Sequence, residues 1–331
     1  MTNVLVTGGA GFIGSHLVDR LFREGDNARV TVVDNFNDFY DPAIKRANIA
    51  AHIERDDFEL VEADIADAGT MNELFRRRDF DCVVHLAARA GVRPSLDDPL
   101  AYEETNVRGT FTLLEAARRS AAPKFIFGSS SSVYGINSKV PFSEDDPVAN
   151  PISPYAATKL AGEAACHVYS HLYDLRAVCL RLFTVYGARQ RPDLVIHKFA
   201  KLITEGKPLL VFGDGTTRRD YTYIDDIIDG IVTSMKYESS SYEVINLGGA
   251  HTVDLRRIVD LLEQALGKRA VIEYGPTQPG DVPVTYADID KARRLLAYDP
   301  KTQIEEGVTK FVDWFQRAAA AMSLGEVRGR S

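Results

Sequence analysis

With 331 residues, 45% of them hydrophobic and 26% charged, the chain is long enough for one large or two modest globular domains. A formal net charge of −8 argues against general nucleic-acid binding and against an anionic membrane surface, although a few local arginines would still suffice for a small anion. The cysteines Cys82, Cys166 and Cys179 lack CxxC or Cys/His ligand spacing, so a reducing compartment, the cytoplasm, and no structural metal are expected.

The first predicted element is a strand, NVLVT (3–7). It leaves no room for a signal peptide at this end, and no apolar run nears the roughly 18 residues of a membrane span. TGGAGFIG then opens a helix over about 12–25. RVTVVD (29–34), FELVEAD (58–64), CVVHLAA (82–88), KFIFGSS (124–130) and LRAVCLRLF (175–183) are nearly continuous apolar runs, the pattern of strands buried on both faces. Helical patterns fall between them at about 70–78, 99–119 and 153–173. Such alternation implies right-handed crossovers and a parallel sheet. The expected fold is therefore α/β, a doubly wound (Rossmann) sheet with a second, smaller α/β substrate domain. After residue 183 the pattern loosens around GDG (213–215) and QPGD (278–281), and YEVINLGG (242–249) reads as a strand returning to the sheet. The expected division is 1–183 plus about 225–249 for a dinucleotide domain and about 184–224 plus 250–322 for the substrate domain. Residues 323–331 are expected to form a disordered tail.

The glycine string carries the first functional expectation. Gly8, Gly11 and Gly14, with Phe12 and Ile13 between them, allow a sharp turn, bring backbone close to a pyrophosphate and pack helix on strand. The N–H groups at the helix start then meet the phosphates. Asp34 ends the second strand at the spacing of a ribose acceptor, followed by Asn35. No Arg or Lys follows in DNFNDFYD, so a 2′-phosphate would meet a carboxylate without a cation, and NAD is expected rather than NADP. Asp64 and Ile65, at the end of the third strand, are placed to touch adenine, with a helix N-cap as the alternative for Asp64. Leu86, Ala87 and Ala88 end the fourth strand with side chains small enough to admit a nucleotide.

SPYAATK places Tyr155 and Lys159 four apart on one face at the start of a helix. A phenol titrates near 10, too high for a base at neutral pH, but a neighbouring ammonium favours the phenolate. Tyr155 would then take a hydroxyl proton as hydride leaves the same carbon, and Lys159 would also hold the nicotinamide ribose. Four serines, Ser129 to Ser132, stand nearby in GSSSSVYG. His167 and His171 share a helical face but have no third ligand, so no metal is expected.

Over nearly its whole length, through TGGAGFIGSHL, HLAARAGVR, ETNVRGT, SSSSVYG, SPYAATKLAGE, FTVYG, FGDGTTRRDYTYIDD and PGDVPVTYAD, the chain resembles an extended short-chain dehydrogenase/reductase of the nucleotide-sugar epimerase/dehydratase group. The resemblance implies Ser130 as the hydroxyl on the sugar O4, Ser129 facing cofactor or backbone, and Ser131 and Ser132 as substrate or local contacts. It also implies Asn106 near the cofactor and Phe183 beside the nicotinamide. Dehydratase relatives carry an Asp-Glu pair where this chain has Ser131 and Ser132, so elimination lacks its proton donor and C4 epimerisation is favoured. The segment TVYGARQRPD is most similar to UDP-glucuronate 4-epimerases, and implies Thr184 and Arg191 on the sugar carboxylate. There a clamp would hold the carboxylate away from the alignment in which a β-keto acid loses CO2. Arg219 and Asp281 are expected toward the diphosphate and the ribose or base of a UDP-sugar, with Arg93 as a further cation. Gln278 stands where related hexose epimerases often have Arg. A UDP-glucose/UDP-galactose 4-epimerase is the alternative within enzymes, and a catalytically silent nucleotide sensor on the same fold is the distant one. By the same resemblance, helices 99–119 and 153–173 would form a homodimer interface. Burial within one subunit is the rival account of their apolar faces.

Overall fold

The computed structural model describes residues 2–23, 28–120, 122–276 and 282–328. Strands and helices alternate as β1 (Thr2–Thr7), α1 (Phe12–Arg23), β2 (Ala28–Asp34), α2 (Pro42–Ile49), β3 (Phe58–Glu62), α3 (Ala68–Arg77) and β4 (Cys82–His85). There follow α4 (Val92–Asp97), α5 (Pro99–Tyr102), a π-helical turn (Glu103–Arg108), α6 (Gly109–Arg119), β5 (Lys124–Ser130), α7 (Pro154–Tyr173) and β6 (Arg176–Leu182). The chain continues through β7 (Thr184–Tyr186), α8 (Val195–Glu205), β8 (Pro208–Phe212), β9 (Arg218–Arg219), β10 (Tyr221–Tyr223), α9 (Ile224–Met235) and β11 (Tyr242–Leu247). It ends with β12 (Val253–Asp254), α10 (Leu255–Leu266), β13 (Val271–Gly275), α11 (Asp290–Leu296) and α12 (Ile304–Arg328).

Seven strands form one sheet in the order β11-β6-β5-β4-β1-β2-β3, with every pairing parallel. Its strands are apolar on both faces because helices cover both. Val4, Val6, Val30, Val32, Val84 and Ile126 enter one core, while the alternate residues Leu5, Val33, Val83, Phe125 and Phe127 enter the other. This is the doubly wound α/β fold expected from the strand–helix alternation. Among the described residues, three two-stranded sheets hold the remaining strands: β7 with β10, β9 with β12, and β8 with β13. The buried Asp220, between β9 and β10, joins the segments that run out of and back to the main sheet. Its carboxylate accepts from the backbone N–H groups of Gly249 (2.6 Å) and Ala287 (3.1 Å) and from the Thr222 hydroxyl (3.1 Å).

The structure departs from the sequence expectations in four places. β3 and β4 stop at Glu62 and His85, short of 64 and 88, because the following residues turn along the rim of a cleft. The helical stretch 99–119 is interrupted by the π-helical turn. A helix, α2, stands where none was expected; Asp41 caps it by accepting from the Ala43 N–H at 2.9 Å, and Pro42 fills its first turn. Finally, α12 continues through Arg328, into the segment expected to be disordered, and residues 329–331 lie outside the described residues.

Candidate functional site

β1 ends at Thr7 and the chain turns at once into α1. Gly8 has a φ of 70°, and a Cβ there would come within 2.7 Å of the Ala87 nitrogen. Gly14 packs against the Gly8 carbonyl too closely for any side chain. The β1–α1 loop can therefore lie directly against the chain leaving β4, where the sheet order reverses. That reversal opens a crevice at the carboxyl ends of parallel strands. The crevice is lined by Gly8, Gly11, Phe12, Ile13, Gly14, Asp34 and Asn35, and on its other walls by Ile65, Leu86, Ala87, Ala88, Ser129, Tyr155 and Lys159.

Asp34 closes β2 at one end of this cleft. Its carboxylate accepts from the N–H of Ala10 (3.2 Å) and of Phe36 (3.0 Å), and burial pushes its pKa above the usual carboxylate range. Lys45, carried in by the unexpected α2, lines the same cleft. Its ammonium donates to the Asn37 carbonyl and Oδ1, both at 2.9 Å, and lies 4.9 Å from the Tyr40 ring centroid. The Asp-Pro pair at 41–42 was the available signal for that helix, and so for Lys45.

Three expected cofactor contacts, Asp64, Asn106 and Phe183, are not among the described residues that line the cleft. Asp64 turns its carboxylate to the Asn35 amide (2.8 Å) and the Ala66 N–H (2.8 Å), and the cap of α3 is Asp67 instead. Asn106 is buried in the π-helical turn, where its Oδ1 accepts from the Arg89 N–H (2.8 Å). Its amide donates to the Arg89 carbonyl and to Thr158 Oγ1, both at 3.0 Å. Asn106 thus fixes the loop beyond β4. Ser129 borders the cleft, but its hydroxyl donates to Glu163 at 2.5 Å.

A second cavity adjoins the first through Phe12, Ile13, Ser129, Tyr155 and Arg191. It contains Ser130, Ser131, Ser132, Phe183, Thr184 and Arg219, and no aspartate or glutamate is among the described residues that line it. Phe183 faces this cavity and not the first. Ser130 Oγ accepts from the Ser132 N–H (3.2 Å) and hydroxyl (3.0 Å). Tyr155 stands at the junction of the cavities because α7 begins there, capped by Ser153, which accepts from the Ala156 N–H at 3.1 Å. Burial raises the Tyr155 pKa, opposed by a hydrogen bond with Ser130 and by the charge of Arg191. One turn on, buried Lys159 donates to the Gly128 carbonyl at 2.7 Å, and its burial brings its pKa down to about 8.

Arg191 borders both cavities, with its Nε and Nη2 bonded to Asp193 at 3.0 and 2.9 Å. Arg219, on β9, donates through Nη1 to the Arg218 carbonyl at 2.9 Å. Arg93 is not among the described residues that line either cavity; its guanidinium lies 4.5 Å from the Phe212 ring centroid. Asp281 and Gln278 lie outside the described residues.

Comparison with known proteins agrees with this geometry. The family model described as GDP-mannose 4,6 dehydratase matches residues 5–311. A UDP-glucuronate 4-epimerase of Thermodesulfobacterium geofontis is 43% identical over 311 residues, covering 94% of this chain and 95% of that protein. The chain belongs to the extended short-chain dehydrogenase/reductase family of nucleotide-sugar epimerases and dehydratases. Among solved structures, this family member is similar to the Bacillus cereus UDP-glucuronic acid 4-epimerase in complex with UDP-glucuronic acid and NAD. That similarity has a TM-score of 0.90 at 40% identity, over 96% of this chain and all of that one (100%). The Thermotoga maritima UDP-glucose 4-epimerase with UDP-glucose gives a TM-score of 0.88 at 34% identity, with 96% and 100% covered.

Proposed function

We propose that this chain is an isomerase, an NAD-dependent UDP-glucuronate 4-epimerase that interconverts UDP-glucuronate and UDP-galacturonate. The observation that carries the reading is the second cavity. Ser130, Ser131, Ser132, Thr184 and Arg191 line it together with Tyr155, and no carboxylic acid is among its described lining residues. The first cleft fits a dinucleotide: its glycine loop leaves room for a pyrophosphate, and Asp34 offers buried carboxylate oxygens for ribose hydroxyls. NAD held there by the glycine loop and Asp34 would supply the reversible hydride chemistry needed at the sugar C4. Tyr155 would take the O4 proton and later give it back, with Ser130 holding O4. The Lys159 ammonium would favour the phenolate and would also hold the nicotinamide ribose. Asp193 occupies one edge of the Arg191 guanidinium, leaving Nη1 for the sugar carboxylate beside Thr184. Held there, the carboxylate of the 4-keto sugar is kept from the alignment that releases CO2, and among the described residues lining this cavity there is no acid to expel a hydroxyl.

Two finer points belong to the same reading. Leu100, Phe111, Val168 and Leu172, on α5, α6 and α7, are exposed apolar side chains, and they support a homodimer built on these helices. Free, buried cysteines support a reducing compartment such as the cytoplasm; among the described residues no helix is long and apolar enough to cross a membrane.

NMR of the product formed from UDP-glucuronate without added reductant tests the reading: the C4-inverted uronate is expected, and a pentose or unchanged substrate would overturn it. Arg191→Ala should lose turnover of the uronate about 100-fold or more, the scale of a charged hydrogen-bond partner. UDP-glucose turnover, where measurable, should fall far less. Equal losses on both sugars would exclude the clamp and favour the UDP-glucose/UDP-galactose reading.

A further inference from the structure

Tyr155, Lys159 and Glu163 follow one another at intervals of four along α7, and the third of them is absent from the mechanism above. Glu163 is only 3% exposed, and its carboxylate meets groups from two neighbouring strands. Arg181 on β6 grips it from one side, Nε to Oε1 at 2.9 Å and Nη2 to Oε2 at 2.8 Å. Ser129 on β5 donates its hydroxyl to Oε1 from the other. Ser129 and Arg181 are register partners in the sheet, so a single carboxylate clasps both strands at their carboxyl ends. The residue before Ser129 is Gly128, whose carbonyl receives the Lys159 ammonium, and the residue after it is Ser130. Two successive turns of α7 thus grip two successive residues of β5, just before the hydroxyl that faces Tyr155.

We propose that Glu163 is a positioning residue for the reaction: it anchors the end of β5 through Ser129 and supplies the buried negative charge beside Lys159. This rests on the reading of Tyr155 and Lys159 as the reacting pair. Among the described residues, Glu163 is the carboxylate set against both Lys159 and Arg181. On α7 it neighbours Lys159 and the Cys166 thiol. β6 contributes Arg181 and the Cys179 thiol, and β11 contributes Tyr242, whose hydroxyl donates to the Glu163 backbone carbonyl at 3.2 Å. Tyr134 places its ring 4.8 Å from the Arg181 guanidinium. Burial disfavours the charged form of Lys159, and Glu163 opposes that effect. Without the Glu163 charge, Lys159 would lose the largest effect that opposes its burial, and would give up its proton more readily.

The test is kcat against pH on the purified, NAD-loaded enzyme with UDP-glucuronate, for wild type, Glu163→Gln, Glu163→Asp and Ser129→Ala. Glu163→Gln should move the alkaline limb down by about one pH unit or more, a tenfold change in proton affinity per unit. Glu163→Asp should return the limb to its wild-type place. Ser129→Ala should lower kcat severalfold at every pH, without moving the limb or releasing NAD. A uniform loss in Glu163→Gln with an unmoved limb overturns the charge role, and wild-type kcat in Ser129→Ala overturns the anchoring role. If Glu163→Gln does not fold, Glu163→Asp and Ser129→Ala decide: a displaced limb in the first or an unchanged kcat in the second sinks the proposal. A wild-type enzyme that fails to turn over UDP-glucuronate would instead overturn the functional reading itself.

Discussion

Lys159 ties activity and stability to pH with opposite signs. Burial lowers its pKa to about 8, from 10.5 for an exposed lysine. Between those values the unfolded chain holds a proton that the native protein has released, so this group's contribution favours the native state increasingly as pH rises. Activity should do the reverse, falling as the ammonium that favours the Tyr155 phenolate is lost. A kcat profile with an alkaline midpoint near 8, measured beside Tm over the same range, should show activity dropping with no parallel drop in Tm through that window. Parallel declines would assign the loss to unfolding. Individual residues were legible in the sequence where backbone geometry alone dictates them. Gly8, Gly14, Asp34, Tyr155 and Lys159 all border the first cleft as expected. Asp64 and Asn106 are not among the described residues that line the cleft; the Asn35 amide and the Arg89 peptide engage their polar groups, partners that no spacing rule reveals. Glu163 escaped notice for the opposite reason: a glutamate on an amphipathic helix reads as solvated until Arg181, from another strand, is placed against it.

Elements differ in how much of themselves they disclose. The seven sheet strands were readable because burial on both faces leaves long apolar runs. The strands outside that sheet were not. β7, β9, β10 and β12 are two or three residues long, too short for any periodicity, and each pairs with a segment far away in sequence. What organises them is Asp220. Asp220→Ala leaves the Gly249 and Ala287 N–H groups buried without acceptors, at about 1–3 kcal/mol each, so a loss of about 2–6 kcal/mol is expected in denaturant unfolding. A change below about 0.5 kcal/mol, the range of an ordinary surface substitution, would show that water or a local shift satisfies both groups. The π-helical turn is a second element-scale feature the sequence concealed; it places Asn106 where it can hold both Arg89 and Thr158, and π turns commonly mark functional sites.

At the scale of the molecule, exposed apolar side chains stand on α5, α6 and α7, three helices that pack together. Leu100 is 77% exposed and Leu172 59%, and Phe111 packs on Tyr169, their ring centroids 6.3 Å apart, at the edge of the same surface. Side chains of this size scattered singly need no explanation, but a run of them across adjacent helices fits a partner of the same kind. Phe111→Asp combined with Leu172→Asp should shift sedimentation from dimer to monomer while leaving the fold, read by circular dichroism, intact. A wild-type protein that sediments as a monomer would remove the dimer from the proposal. The chain's path has one more consequence. It leaves the large sheet after β6, re-enters through α9 and β11, and leaves again toward β12, with Asp220 knotting the outer passes together. Opening the sugar chamber wider would mean flexing three passes of chain together.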